Sequence, residues 1–393
     1  MTDNCELVSV VVLSYQNFDL LKNCVLSVLH QDYPQIELII SDDSSDYFDK
    51  ELLISLIEEN KRENLKDYTI VINDVNVGTV KNIKNAFNYV KGDFYITSGA
   101  DDLLADEYVI SRFIQKFRKQ PQLMWVCANL LHVSSDYNKV LEVFPTDYDI
   151  PVLQSGDAKK VWNIWARRGI VASCAICYRK EVLNIVGGFD EEYCYSEDWP
   201  IFLKLLRSGY APGYINVDAA KHSIGGISLA YSTAGIEKRK VFMRDKYHLF
   251  TTEVQPYIEE MPKTDRKKYK YYMSEIMDRS YFLDCIFVQQ PNKKAKLKLA
   301  LSSPKKFIWI LEKSYWIFWK KMGYKLIHWN MTFTILMLVM IFSIIESNSP
   351  VLLFLKIFSI SIAGILSFSV ICTYILRKVF NYRASMRGKV THS

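Results

Sequence analysis

The first hundred residues alternate between short apolar runs and helical patterns, and this alternation limits the possible folds more than any other feature. Leu7–Leu13 (Leu-Val-Ser-Val-Val-Val-Leu) is β-branched and almost wholly apolar. A strand with one wet face would alternate with polar residues, whereas an unbroken apolar run suits a strand covered on both faces of a parallel sheet. A helical pattern over Asp19–His30 follows, with Leu20, Leu21, Cys24, Val28 and Leu29 near helical spacing. After Pro34 come a strand at Ile36–Ile40, a helix near Asp49–Lys61 and a strand at Tyr68–Ile72. Asn76-Val77-Gly78 then opens a helix with Val80, Ile83, Phe87 and Val90 on one face, and it leads into the strand-and-turn 93–102. Strands alternating with helices predict βαβ units, hence an α/β fold with a mainly parallel sheet flanked by helices.

Ligands of such sheets bind beyond the carboxyl ends of the strands. Ser14–Asn17, Asp42–Asp46 and Ser98–Asp102 each follow a strand, so one edge of the sheet is expected to gather them. No Gly-x-Gly-x-x-Gly follows the first strand and no Gly-Lys-Ser/Thr loop occurs, which disfavours dinucleotide and P-loop sites and leaves a diphosphate to be held by a cation. Asp101 and Asp102 are adjacent carboxylates behind the small residues Gly99 and Ala100, where a ligand approaches the backbone closely. Their mutual repulsion is relieved by a shared hard cation, Mg²⁺ or Mn²⁺. The plainer reading is a solvated turn before a helix starting near Asp106.

Beyond residue 105 the pattern is strand-like over Pro121–Val143 and loosens through Thr146–Asp157 as a plausible insert, before a strand at Val171–Arg179. A helix (Glu181–Val186) leads to Gly187-Gly188-Phe189-Asp190-Glu191-Glu192, then Ser196-Glu197-Asp198-Trp199-Pro200, then a helix over Ile201–Arg207. Glu197 and Asp198 read as N-terminal charge favouring the helix that follows. Trp199, set in a turn, suggests a flat face for a sugar. Lys221–Ser228 reads as a flexible loop whose His222 is either a surface residue or a contact to metal or phosphate. Cys174-Ala-Ile-Cys177 has no second pair to complete a zinc site and reads as core.

The 393 residues suggest about two domains with appendages, and eight cysteines without framework spacing, with no leader before the first strand, predict reduced thiols in the cytosol. Residues 1–230 are expected to form the α/β domain, in two halves at 1–105 and 106–230, and 231–303 a lysine-rich helical extension. In 304–328, Trp309, Tyr315, Trp316, Trp319 and Tyr324 interleave with lysines, the pattern of a helix lying in a membrane interface. The apolar runs Met331–Ile345 and Ile357–Leu376 predict a transmembrane hairpin over 329–376, which argues against nucleic acid as the partner of the basic-aromatic stretch. Lys320, Lys321 and Lys325 before it, and Arg377, Lys378, Arg383, Arg387 and Lys389 in the tail 377–393, put both flanks on the cytoplasmic side of the inner (plasma) membrane.

Several of these stretches together resemble the family 2 glycosyltransferases, inverting enzymes of GT-A-type fold that use nucleotide-sugar donors. Val8–Asn17 is similar to the family's opening strand and turn, Asp42-Asp43-Ser44-Ser45-Asp46 to its nucleoside segment, and Asn76-Val77-Gly78 to its Asn-x-Gly. Ala100-Asp101-Asp102 resembles the end of the Asp-x-Asp metal motif, with Gly99 in place of its first Asp. Gly187–Glu191 and Glu197-Asp198 resemble the acceptor-side motifs. The resemblance implies a hexosyltransferase-like enzyme, with Ser14, Tyr15, Asn17, Asp42, Asp43, Asn76, Gly78, Ala100 and Asp101 at a donor of UDP-sugar type. It places a Mg²⁺ or Mn²⁺ ion mainly on Asp101, with Asp102 in support and His222 as a further candidate. Gly188, Phe189 and Trp199 would meet a glycan or lipid-linked acceptor, Asp198 would be the general base, and Glu197 would assist it. Assembly of a surface polysaccharide at the cytoplasmic membrane face is the implied setting. A rival implication is a nucleotide-binding but inactive membrane scaffold of the same fold.

Overall fold

The computed structural model describes residues 5–223 and 233–273. The chain divides into two compact units, 1–269 and 270–393, and the fold set out below is that of the first. In order its elements are β1 (Val8–Ser14), α1 (Phe18–Leu29), β2 (Ile36–Asp42), α2 (Lys50–Asn60), β3 (Leu65–Ile72), α3 (Thr79–Phe87) and β4 (Phe94–Gly99). There follow β5 (Asp102–Leu104), α4 (Val109–Lys119), β6 (Trp125–Val133), β7 (Val140–Phe144), α5 (Ile150–Leu153) and α6 (Ala158–Trp165). The chain continues through β8 (Ile176–Arg179), α7 (Val182–Val186), α8 (Trp199–Arg207), β9 (Gly213–Ser223), α9 (Thr233–Leu249) and α10 (Lys263–Tyr272).

Among the described residues one sheet runs in the order β3-β2-β1-β4-β8-β6-β9-β5, with β7 on β6. The β3-β2-β1-β4 half is parallel throughout. Its strands read as continuous apolar runs because helices cover both faces: Val8, Val10, Val11 and Val12 of β1 and Leu38, Ile39 and Ile40 of β2 are fully buried. The second half departs from the expected mainly parallel sheet, since β8 runs antiparallel to β4 and β6, β7 to β6, and β5 to β9. Only β6 and β9 pair in parallel there. Nothing in a single strand's composition records its partner's direction, so the sequence pattern carries the parallel half over into a region where most pairs are antiparallel.

The connection from β4 to β5 dictates the sheet's curvature. Gly99 and Asp102 are three residues apart, a reach of about 10 Å. In a flat sheet the four strand-to-strand steps from β4 to β5 would separate them by about 19 Å. The sheet must therefore curl, bringing the end of β9 back over the end of β4.

Other expectations change in detail. Pro121–Val143 is two antiparallel strands rather than one strand-like stretch. The expected insert at 146–157 contains α5, and α6 follows it, capped by Asp157, which accepts from Lys160 N. Ser173–Ala175 is a single 3₁₀ turn, so the strand expected from Val171 begins only at Ile176. Trp199 lies in the first turn of α8 rather than in a turn ahead of it. Lys221, His222 and Ser223 close β9 and are not loop residues, while 224–232 lie outside the described residues. The helical extension enters the first compact unit as far as Tyr269. The interfacial helix at 304–328, the hairpin at 329–376 and the basic tail lie outside the described residues, among which no helix is long and apolar enough to cross a membrane.

One close approach holds β1 beside the turn into β4. Ser9 Oγ donates to the buried Glu37 carboxylate at 2.6 Å and accepts from Gly92 N at 2.9 Å, and Lys91 N also donates to Glu37. A Cβ on Gly92 would lie 2.7 Å from Ser9 N and 2.8 Å from Leu7 O, both backbone atoms that cannot swing aside. Gly92→Ala should therefore cost about 1–3 kcal/mol of stability. Gly169→Ala, whose added Cβ meets nothing within 4 Å, should be near neutral. Thermal and denaturant unfolding of the two variants side by side checks the contrast.

Candidate active site

The strand registers place the donor-type motifs together. Ser14 pairs with Asp42, Asp42 with Ile72, and Leu13 with Gly99, so the segments following β1, β2, β3 and β4 share one edge. Ala100 N donates to Leu13 O at 2.8 Å and extends that pairing. Tyr15 is half-buried, and Asn17 and Asn76 are exposed at the rim. Gln16 adopts φ 58°, its N donating to Ser45 Oγ and its amide to Asp46, so the two loops are tied together there.

Asp42 and Asp43 prove to be architectural. Asp42 is fully buried and accepts from both the N and the Oγ of Ser45, each at 2.7 Å. Asp43 accepts from Asn73 Nδ2 at 3.0 Å and from the backbone N of Val77 and Gly78, both at 2.9 Å. Both carboxylates are buried and accept from these protein groups, which shapes the walls of the edge where a base and ribose are expected. Gly78 is fixed at φ +86°, and a Cβ there would lie 2.8 Å from Cys194 Sγ.

At the end of β4 the three residues Asp101, Asp102 and His222 offer ligand atoms within 4.8 Å of one another. Asp102 on β5 is paired in register with His222 on β9. His222 Nδ1 lies 2.6 Å from Asp102 Oδ1, and Gly99 N donates to Asp102 Oδ2 at 2.9 Å. Burial pulls the His222 imidazole down, but the Asp102 hydrogen bond and the two carboxylate charges outweigh it and raise it to about 9. Asp101 is raised by burial and by the neighbouring Asp102 charge. Two carboxylates and one imidazole make a hard, mixed oxygen–nitrogen donor set that suits Mn²⁺ or Mg²⁺. Gly99 stands where the Asp-x-Asp pattern has its first Asp, and a Cβ there would lie 2.8 Å from Asp101 Oδ1, the movable end of a side chain.

Glu197 and Asp198 come from the other side. Asp198 is the N-cap residue of α8, and both carboxyls keep part of their surface accessible. Burial among protein atoms raises both, Glu197 further because the Asp198 charge adds to it. Backbone N–H groups of Trp199 and Ser173 partly offset the rise at Asp198. Asp198 lines a cleft of about 260 Å³ together with Leu130, His132, Phe144, Trp165, Gly169–Ala172, Trp199 and Phe202. Trp199 is half-buried there, its indole N–H donating to Trp165 O at 2.9 Å and its ring packed edge-on against Phe250. Gly188 and Phe189, expected at the acceptor, are not part of this cleft. Gly188 N donates to Leu183 O at the end of α7, and Phe189 packs against Phe87 with ring centroids 4.8 Å apart.

The structure adds two residues that the sequence reading passed over, His132 and Tyr137, and brings in Cys174, which the sequence placed only as core. His132 of β6 pairs in register with His222, its ring 5.4 Å away, and so stands between the carboxylate cluster and the cleft. Burial and the His222 charge lower it. Tyr137 OH donates to Asp101 O at 2.7 Å from the turn between β6 and β7. Cys174 is buried, its thiol pushed far up by burial and by the Asp102 charge. Neither His132 nor Tyr137 stands in a recognisable motif, because each meets its partner across 36 residues of chain or more.

With this geometry in hand, comparison with known proteins is informative. Residues 9–167 match the family described as Glycosyl transferase family 2. The match runs from β1 through α6 and so holds the donor-type edge, Asp101 and Asp102; Asp198 and His222 lie beyond it. A relative from Haemophilus influenzae, described as an uncharacterized glycosyltransferase, is 22% identical over 217 residues. That alignment covers 54% of this chain and 64% of the relative, so the chain spans somewhat under two thirds of the relative's length. Among solved structures, S. aureus TarS 1-349 in complex with UDP-GlcNAc is 14% identical over 72% of this chain and 92% of its own, with a TM-score of 0.44. A mannosyltransferase from Pyrobaculum calidifontis in complex with GDP-Man and Mn²⁺ is 15% identical over 78% of this chain and 84% of its own, with a TM-score of 0.48.

The hydrogen bonds distinguish the two carboxylates among the described residues. Asp102 holds both Gly99 N and His222 in place, whereas no side-chain bond of this kind anchors Asp101. Titration of the full chain with Mn²⁺ should show Asp102→Asn weakening binding at least as much as Asp101→Asn, with His222→Ala losing on the order of 10–100-fold.

Proposed function

We propose that this chain is an inverting glycosyltransferase that moves a hexosyl group from a nucleoside-diphosphate donor, of UDP-sugar type, to a hydroxyl of a glycan or lipid-linked acceptor. The supporting observation is that one continuous site holds both a cation-type cluster and a buried carboxylate carried on separate elements. His222 belongs to the Asp101–Asp102 cluster, His132 lies against it, and His132 and Asp198 line the same cleft. The family match over 9–167 adds independent support for the donor half.

In this reading Asp101, Asp102 and His222 hold Mg²⁺ or Mn²⁺. The ion, when bound, neutralises charge that develops on the departing diphosphate. Ser14, Tyr15, Asn17, Asn76 and the backbone at Gly78 and Ala100 border the nucleoside-diphosphate, with Asp42 and Asp43 fixing their loops. Asp198 takes the proton of the acceptor hydroxyl as its oxygen bonds to the anomeric carbon. The bond from that carbon to the diphosphate breaks on the opposite face, and its electron pair leaves with the nucleoside diphosphate. Glu197, held neutral by burial, positions the pair. Trp199 and Trp165 give the cleft flat apolar walls suited to a sugar face. Residues 304–376 anchor the enzyme at the cytoplasmic face of a membrane, where a lipid-linked acceptor for a surface polysaccharide is presented.

Screening the full chain against a panel of nucleotide sugars, with release of nucleoside diphosphate as readout, tests the activity. Nucleotide binding without release from any donor would instead establish the inactive scaffold. Asp198→Asn should cut turnover by about 10²–10⁴-fold while leaving nucleotide affinity nearly intact. Because burial raises Asp198 to about 6, the base form is present above that pH and turnover should fall as pH drops through it. The Asp198→Asn variant should lose that limb of the pH profile. Membrane attachment is checked by fractionation: the protein should stay with membranes through high-salt and alkaline washes.

A further inference from the structure

We infer that Asp245, on α9, is the positioning residue for the base, acting through the loop 194–196. The inference rests on the reading of Asp198 as general base. Three consecutive backbone N–H groups converge on one oxygen of this carboxylate: Cys194 N at 2.9 Å, Tyr195 N at 2.6 Å and Ser196 N at 3.3 Å from Asp245 Oδ2. Successive N–H groups that turn toward one point form an anion-binding concavity, and hydrogen bonds to a carboxylate are roughly twice as strong as neutral ones. Asp245 is 1% exposed, so water does not compete for these donors.

The loop so gripped is the one that delivers Glu197 and Asp198 to the start of α8. Its other side touches the donor edge, where Cys194 O accepts from Val80 N at 3.2 Å and Cys194 Sγ closes over Gly78. Gly78 is in turn held by Asp43. One short loop thus spans from the nucleotide side to the base, and Asp245 is the group that fixes its backbone. The following segment braces α8 as well: Phe250 packs on Trp199, and Glu253 pairs with Arg207 and Lys204. This arrangement sets where the Asp198 carboxyl points.

The test measures turnover of UDP-GlcNAc and GDP-mannose, and binding of UDP and GDP with Mn²⁺, on the full chain. Asp245→Asn, of the same shape but uncharged, should lower turnover about tenfold with nucleotide affinity within twofold of wild type. Asp245→Glu keeps the charge but pushes the loop by one methylene, and should show the same split if the asparagine variant folds poorly. The decisive comparison is the double variant: combined with Asp198→Asn, Asp245→Asn should add no further loss, because the residue acts through a group already removed. Unchanged turnover in both single variants, losses that multiply with Asp198→Asn, or nucleotide affinity falling in step with turnover would each overturn the inference. Normal turnover in Asp198→Asn alone would show instead that the base assignment is wrong, and the positioning role would fall with it.

Discussion

The contact on which the site depends is the pairing of Asp102 with His222. Asp102 follows β4 by three residues yet belongs to a strand at the far end of the sheet, and its carboxylate binds Gly99 N on one side and His222 on the other. A short chain reach thus forces the sheet to curl, and the curl brings a histidine from β9 onto a carboxylate 120 residues earlier in the chain. Adjacent buried carboxylates would repel strongly. His222, hydrogen-bonded to Asp102 and facing both charges, offsets part of that repulsion.

The two halves of the sheet do different work. In the parallel half the strand ends are in register, which makes a flat edge of loops whose buried carboxylates, Asp42 and Asp43, are satisfied by backbone donors within the protein. Such a rim is rigid and presents few charges. In the mixed half, reversal of β8 places the turn Ser173–Ala175 beside the cluster, and the parallel pairing of β6 with β9 lines up His132 with His222. The acceptor-side cleft opens next to this second row. The loop 194–196 joins the two halves, which makes the contacts of α9 part of the site although α9 lies outside the stretch matched to the family.

Much of the donor half was legible before any coordinates. Unbroken apolar runs mark buried parallel strands, and strand–helix alternation fixes that the polar turns after β1, β2 and β4 share one edge. Asp101, Asp102, Glu197 and Asp198 stand out because adjacent carboxylates are costly and need a reason. His222 was legible only as a candidate, and its strand was misread as a loop because the glycines that follow it imitate one. Motif position did not record that Gly188 donates to Leu183 O at the end of α7, that Phe189 packs on Phe87, or that Asp42 is gripped by Ser45.

What the sequence determined by itself was local: periodicity, caps, the small residues at Gly99 and Ala100, and the presence of paired carboxylates. What only tertiary structure decided was partnership. That Asp102 rather than Asp101 is the anchored carboxylate, that His132 and Tyr137 flank the cluster, and that Asp245 grips the loop before the base all follow from contacts between residues 36 to 120 positions apart. Strand direction and sheet curl bring such residues together, and both arise from the closure of the whole sheet, which no window of sequence encodes.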